Sequence, residues 1–191
     1  TFQVYNVLCA AGIALACGET SERVIGCLQN LEGTPGRLEL AGSTMGGSVY
    51  IDYAHTPDAL ENVLTDMRPH TNGRLIVVFG CGGDRDRGKR PMMGRVASNL
   101  ADIAVATDDN PRSEDADTIR SEILAGAPDV RNISDRETAI REAVSMLSEG
   151  DILVIAGKGH ETGQIVGSET LPFNDLVVAR TAIAESQGSV S

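Results

Sequence analysis

Four short segments concentrate the residues able to do chemistry. Gly80-Cys81-Gly82-Gly83-Asp84-Arg85-Asp86-Arg87-Gly88-Lys89-Arg90 opens with glycines that permit tight turns and close ligand approach, and its last seven residues hold four basic and two acidic groups. An anionic group is its natural target, although an exposed ion-paired loop has the same composition. Asp108-Asp109-Asn110-Pro111-Arg112 offers carboxylates for an ammonium, an amide that both donates and accepts, and a guanidinium that grips a carboxylate with two parallel donors. This set suits a zwitterionic amino acid; Asp, Asn and Pro also make ordinary turns and caps.

In Gly157-Lys158-Gly159-His160-Glu161 the glycines permit close contact, Lys158 and His160 can meet anions, and Glu161 can meet an amine; a self-satisfied surface loop is the alternative. In Asp52-Tyr53-Ala54-His55-Thr56-Pro57, Asp52 can accept from ribose hydroxyls and His55 can donate to an anion. Equally, Asp52 can tie down the loop while Thr56 caps a helix with Pro57 at its first position. Tyr5, Tyr50 and Phe79 read as core groups.

Several familiar chemistries are missing. The glycines of Gly80–Gly83 do not form G-x-G-x-x-G, so an NAD-dependent oxidoreductase is disfavoured. Lys158 is followed by Gly159 where a P-loop needs Ser or Thr, and His160-Glu161 lacks the second histidine of a zinc protease.

The elements that must position these loops follow from periodicity. Apolar residues at Val4, Val7, Leu8, Ala11 and Leu15 predict a helix ending at Gly18, and a second short helix precedes a Gly/Pro loop whose boundary is Pro35-Gly36. Beyond it, strands are expected over 37–42, 46–55, 73–83, 101–109 and 151–159. Helices are expected over 57–69, 91–101, 113–124, 133–150 and 171–186, with fraying at the terminal Gly188-Ser189-Val190-Ser191. Near-continuous apolar strands alternating with helices predict an α/β fold, a Rossmann-like three-layer domain with a mostly parallel sheet. In such a sheet the loops leaving the strand carboxyl ends share one crevice, which would gather all four segments.

The chain has 191 residues, 41% of them hydrophobic, enough for one substantial core plus a fragment of another domain. A formal net charge of -11 disfavours nucleic acid and anionic membrane as partners. No apolar run is long enough to span a bilayer and no signal peptide is evident, so a soluble cytoplasmic protein is expected. Cys9, Cys17, Cys27 and Cys81 lack metal-site spacing and read as buried free thiols, and no metal-ligating residues are singled out.

Taken together, QVYNVLCA, DYAHTPDALENVL, FGCGGDRDRGKRPMM, ATDDNPRSE, IAGKGHETGQ and FNDLVVAR resemble, in order and over nearly the whole chain, the C-terminal region of the Mur ligase family, in its diaminopimelate-adding branch. The resemblance implies a three-domain cytoplasmic enzyme of peptidoglycan synthesis. Residues 1–35 would be the tail of the central ATP-binding domain and 36–191 the C-terminal Rossmann-like domain. The N-terminal domain and most of the central one would be missing, leaving this part inactive alone. The substrates implied are meso-2,6-diaminopimelate, ATP with Mg2+, and UDP-MurNAc-L-Ala-D-Glu. By motif match, Arg85, Asp109, Asn110, Arg112, Gly157 and Glu161 would bind the amino acid, and Asn6, Arg37, Asp52 and His55 would lie near ATP. A lysine-adding ligase of the family and a stand-alone amino-acid or nucleotide-binding module are the alternatives.

Overall fold

Leu75–Phe79 and Ile152–Ala156 are buried at every position, which requires that the sheet they form be covered on both faces. In the computed structural model, which describes residues 2–31 and 33–188, that sheet is the centre of the second of two units, Thr1–Gly33 and Thr34–Ser191. Its strands, β1 (Arg37–Thr44), β2 (Gly47–Asp52), β3 (Leu75–Phe79), β4 (Ile103–Ala106), β5 (Arg131–Asn132) and β6 (Ile152–Ala156), lie in the order β1-β2-β6-β3-β4-β5. Only β1 and β2 pair antiparallel; the other pairs are parallel.

Alternation divides the core into two layers. Leu75, Val77 and Phe79 pack with Leu60 and Leu64 of α3 (Pro57–Met67), Met93 of α4 (Lys89–Leu100) and Ile123 of α5 (Ala116–Leu124). Ile76 and Val78 face the opposite way, toward Ile140 of α6 (Arg136–Ser145) and Ala179 and Ile183 of α7 (Asp175–Gly188). The expected three-layer α/β architecture is present.

Register sets the site. Asp52 pairs with Ala156 and Phe79 with Ala106, so β2, β3, β4 and β6 end at one level and release their loops along one edge.

Local chemistry fixes several helix starts. Thr56 accepts from Ala59 N with Pro57 in the first turn of α3, as the sequence allowed. Asp115 and Asp135 cap α5 and α6, so these helices begin later than 113 and 133. The closing helix begins at Asp175 rather than 171, because 163–172 form a hairpin not expected from sequence, β7 (Gly163–Val166) with β8 (Glu169–Pro172). The frayed end expected at 188–191 lies, after Gly188, outside the described residues.

The first unit contains α1 (Phe2–Ala16) and α2 (Ser21–Leu28), the latter capped by Thr20. Cys9, Cys17, Cys27 and Tyr5 are exposed there, against the expectation of burial; two short helices supply one another too little apolar surface to enclose them. Cys81 is a buried free thiol and Phe79 a core residue, as expected, while Tyr50 is half-buried.

Candidate functional site

The four loops meet in a cavity of about 390 Å³ whose lining includes His55, Arg85, Asp109, Asn110, Arg112, Gly157 and Glu161. That size suits one small ligand. All six residues expected to contact an amino acid are therefore in one place.

Close backbone approach explains the glycines. A Cβ on Gly83 would sit 1.9 Å from Pro111 O, and one on Gly80 would sit 2.5 Å from Thr107 O. Pressed together in this way, the two loops latch: Gly83 N donates to Asn110 O, Asp84 N to Glu114 Oε1, and Ser113 N and Oγ to the Asp84 carboxylate. Both latch residues that bend the chain, Asp84 and Arg112, adopt positive φ, 54° and 55°.

The basic residues of 80–90 separate into two roles. Arg90 is buried and bonded to Glu114, Glu122 and Gly82 O, and Arg87 pairs with Glu122, so both are ion-paired to carboxylates outside the segment, and Arg90 is not the exposed residue that the ion-paired reading expected. Arg85 and Lys89 line the cavity; Lys89 Nζ also donates to His55 O at 2.7 Å.

Not every expected contact faces the cavity. Asp108 pairs with Arg120, so only Asp109 of the two carboxylates is at the site. Lys158 is completely buried and donates to Asn110 Oδ1 at 2.9 Å and to the Glu161 carboxylate at 3.1 Å, so the anion it meets is within the chain and it does not line the cavity. Burial works against the Glu161 charge, but the bonds from Asn110 and Lys158 prevail and hold its carboxyl below the usual range. Asp52 is buried, and its oxygens accept from Leu38 N and Ala54 N, the loop-tying role; burial outweighs these bonds and raises its pKa. His160 is exposed and lies against Tyr53, whose ring also contacts His55 and lies beneath Arg37. Asn6 is exposed on α1 in the other unit.

Two contributors were not singled out from sequence. Tyr53 lines the cavity. The β7–β8 hairpin supports the loop after β4: Gln164 Nε2 donates to Asp109 O, Ile165 N to Asn110 Oδ1, Arg112 N to Ile165 O, and Gly167 N to Arg112 O. Its signal was the Gly167-Ser168 step between Gln164-Ile165-Val166 and Glu169-Thr170-Leu171, two short stretches containing β-branched residues.

The glutamate ligase domain of the Mur ligases matches residues 36–159, which contain three of the four loops and the fourth as far as Gly159. The chain belongs to the Mur ligase family. Among Mur ligases, a UDP-N-acetylmuramoyl-L-alanyl-D-glutamate--2,6-diaminopimelate ligase of Agrobacterium fabrum is 61% identical over 189 residues, 98% of this chain and 39% of the relative. Its counterpart from Mesorhizobium japonicum is 57% identical over 185 residues, covering 96% of this chain and 38% of the relative. A solved structure of a ligase with the same name superposes with a TM-score of 0.77 at 38% identity, covering 97% of this chain and 39% of that one. The chain spans about two fifths of the length of the curated Mur ligases it matches.

Proposed function

We propose that this chain is the amino-acid-recruiting part of an ATP-dependent ligase that joins meso-2,6-diaminopimelate to the D-Glu carboxylate of UDP-MurNAc-L-Ala-D-Glu during peptidoglycan synthesis in the cytoplasm. The observation that carries the reading is the shared cavity, whose lining brings Arg85 and Arg112 together with Glu161 and Asp109. Two cationic forks suit a ligand with more than one carboxylate, and the acids suit its ammonium groups. Similarity to ligases named for 2,6-diaminopimelate supports the same choice over lysine. Lysine lacks the second carboxylate, so opposite it Arg112, held by Gly83 O and Asn110 O, would gain no charged partner.

In the reaction proposed for the whole enzyme, ATP phosphorylates the D-Glu carboxylate and a diaminopimelate amine displaces phosphate from the acyl phosphate, giving an amide. When bound, Mg2+ supplies neutralisation of phosphate charge. Among the described residues of this chain no group of three His, Cys, Asp or Glu side chains is placed to hold a metal, so the ion is assigned no ligand here. What this part contributes is orientation: the amino acid is held by its charged ends so that one amine is aimed at the acyl phosphate. On the nucleotide side we place His55, which lines the cavity, and Arg37 over Tyr53, with Asp52 shaping the loop between them. Asn6 and residues 1–35 would belong to the end of the central ATP-binding domain.

Replacing Arg112 with Ala in the full-length enzyme tests the reading. KM for diaminopimelate should rise by about tenfold or more while KM for ATP changes little. A wild-type preference for lysine over diaminopimelate would overturn it.

A further inference from the structure

Lys158 is fully buried at the back of the amino-acid cavity, and its partners among the described residues are the side chains of Asn110 and Glu161, both of which line that cavity. A buried ammonium must keep its acceptors, because leaving it unpaired in a low-dielectric interior is prohibitive. The constraint therefore runs outward from Lys158 to the two residues the ligand meets.

Its first consequence concerns the Asn110 amide. Asn110 Oδ1 receives Lys158 Nζ at 2.9 Å and Ile165 N at 2.9 Å, while Nδ2 donates to Glu161 Oε2 at 2.9 Å. Two donors on one side and a carboxylate on the other dictate which atom is oxygen. Rotating the amide by half a turn would set its N–H groups against an ammonium and a backbone N–H. Asn110 is thus left with one unspent amide hydrogen and an oxygen already doubly occupied. Toward a ligand it is a donor.

The second consequence concerns Glu161. Oε2 already accepts from Asn110 and Lys158, which leaves Oε1 to accept from a ligand. Gly157 and Gly159 have positive φ, 118° and 55°, a backbone bend on either side of the inward-turned Lys158 that glycine adopts without strain.

We propose that Lys158 is a positioning residue that sets the polarity of the amino-acid cavity, fixing Asn110 as a donor to a ligand carboxylate and Glu161 as an acceptor for the neighbouring ammonium. The inference rests on the amino-acid site proposed above and assigns a role to a residue that does not itself touch the ligand. It also accounts for a lysine between two glycines whose side chain points away from solvent.

The test uses the full-length ligase and four variants: Arg112→Ala, Lys158→Met, Asn110→Ala and the Lys158→Met/Asn110→Ala double. Lys158→Met should raise KM for diaminopimelate by about tenfold or more and move KM for ATP by less than about threefold. Because Lys158 acts in part through Asn110, the losses should not multiply: the double variant should fall well short, by about threefold or more, of the product of the two single effects. If Lys158→Met fails to fold, Lys158→Gln, which retains a donor but no charge, takes its place in the same cycle. Multiplicative losses, an unchanged KM for diaminopimelate, or an equal rise in KM for ATP would overturn the inference. If Arg112→Ala also leaves KM for diaminopimelate unchanged, the site itself is misassigned; if Arg112→Ala raises it and Lys158→Met does not, only the role of Lys158 falls.

Discussion

Arg136 and Asp175 form a two-point ion pair with no solvent exposure on either side chain, Nε to Oδ1 at 2.8 Å and Nη2 to Oδ2 at 2.7 Å. Nη2 also reaches Ala156 O at 3.0 Å, so the pair ties α6 and α7 to the end of β6, where the Gly157–Glu161 loop begins. Burial opposes the guanidinium charge, but Asp175, with Asp109 and Glu161 nearby, more than compensates and raises its pKa. Asp175→Ala would strand a buried charge and should lower stability by about 3–5 kcal/mol. Urea unfolding measures this, and a loss under about 1 kcal/mol would refute the coupling. Arg136→Met/Asp175→Leu, which removes both charges, should recover much of the difference.

Two adjacent glycines should respond in opposite ways. A Cβ on Gly82 would meet Arg112 Nη1 at 2.7 Å, the movable tip of a side chain, whereas one on Gly83 would meet the Pro111 carbonyl at 1.9 Å. Gly82→Ala should leave thermal stability nearly unchanged but displace the Arg112 fork, raising KM for diaminopimelate about tenfold in the full-length enzyme. Gly83→Ala should force the two loops apart and lower the melting temperature. Equal melting temperatures for the two variants would contradict the distinction.

The contrast between these loops and the strands shows what the sequence made legible. Uninterrupted apolar runs such as Leu75–Phe79 announce buried parallel strands, and that class of sheet brings the strand-end loops together. The six proposed amino-acid contacts could therefore be grouped before any distance was known. Ion pairing was less legible, because composition alone does not divide Arg85 from Arg90 or Asp109 from Asp108. Their roles depend on Glu114, Glu122 and Arg120, which come close only when α4 and α5 pack. Lys158 is the sharpest case: glycine neighbours suggest a ligand-facing lysine, while its side chain is turned inward between Gly157 and Gly159, both of positive φ.

Glu114 should govern part of the acid limb of stability. Hydrogen bonds from Arg90, then from Asp84 N, depress its pKa from 4.5 to about 2. A depressed carboxyl contributes stability that is fully present above its unfolded value, and this contribution is lost as pH falls from about 4.5 toward 2. Asp52 has the opposite sign: its pKa is raised, so its contribution is largest below 3.8 and fades as pH rises through the shifted value. Glu114→Gln should therefore flatten the fall of stability in that acid window, and Asp52→Asn should not. Denaturant titrations at a series of pH values decide this, and an unchanged acid limb in Glu114→Gln would remove Glu114 from the account.

Cys81 lies in the glycine-rich loop after β3 but is buried, with its thiol 3.5 Å from Met93 Sδ. Burial is the main reason its pKa is pushed up to about 12, against a smaller opposing effect of Lys89. Thiolate is the reactive form, so at about pH 8 this cysteine should be nearly inert in the folded protein despite its position near the site. Mass spectrometry after alkylation should show Cys81 modified only as urea unfolds the chain, with the labelled fraction tracking the unfolding curve. Rapid labelling of Cys81 under native conditions would mean that this loop opens without global unfolding, and the close contacts of Gly80 and Gly83 with the loop after β4 could not then be maintained.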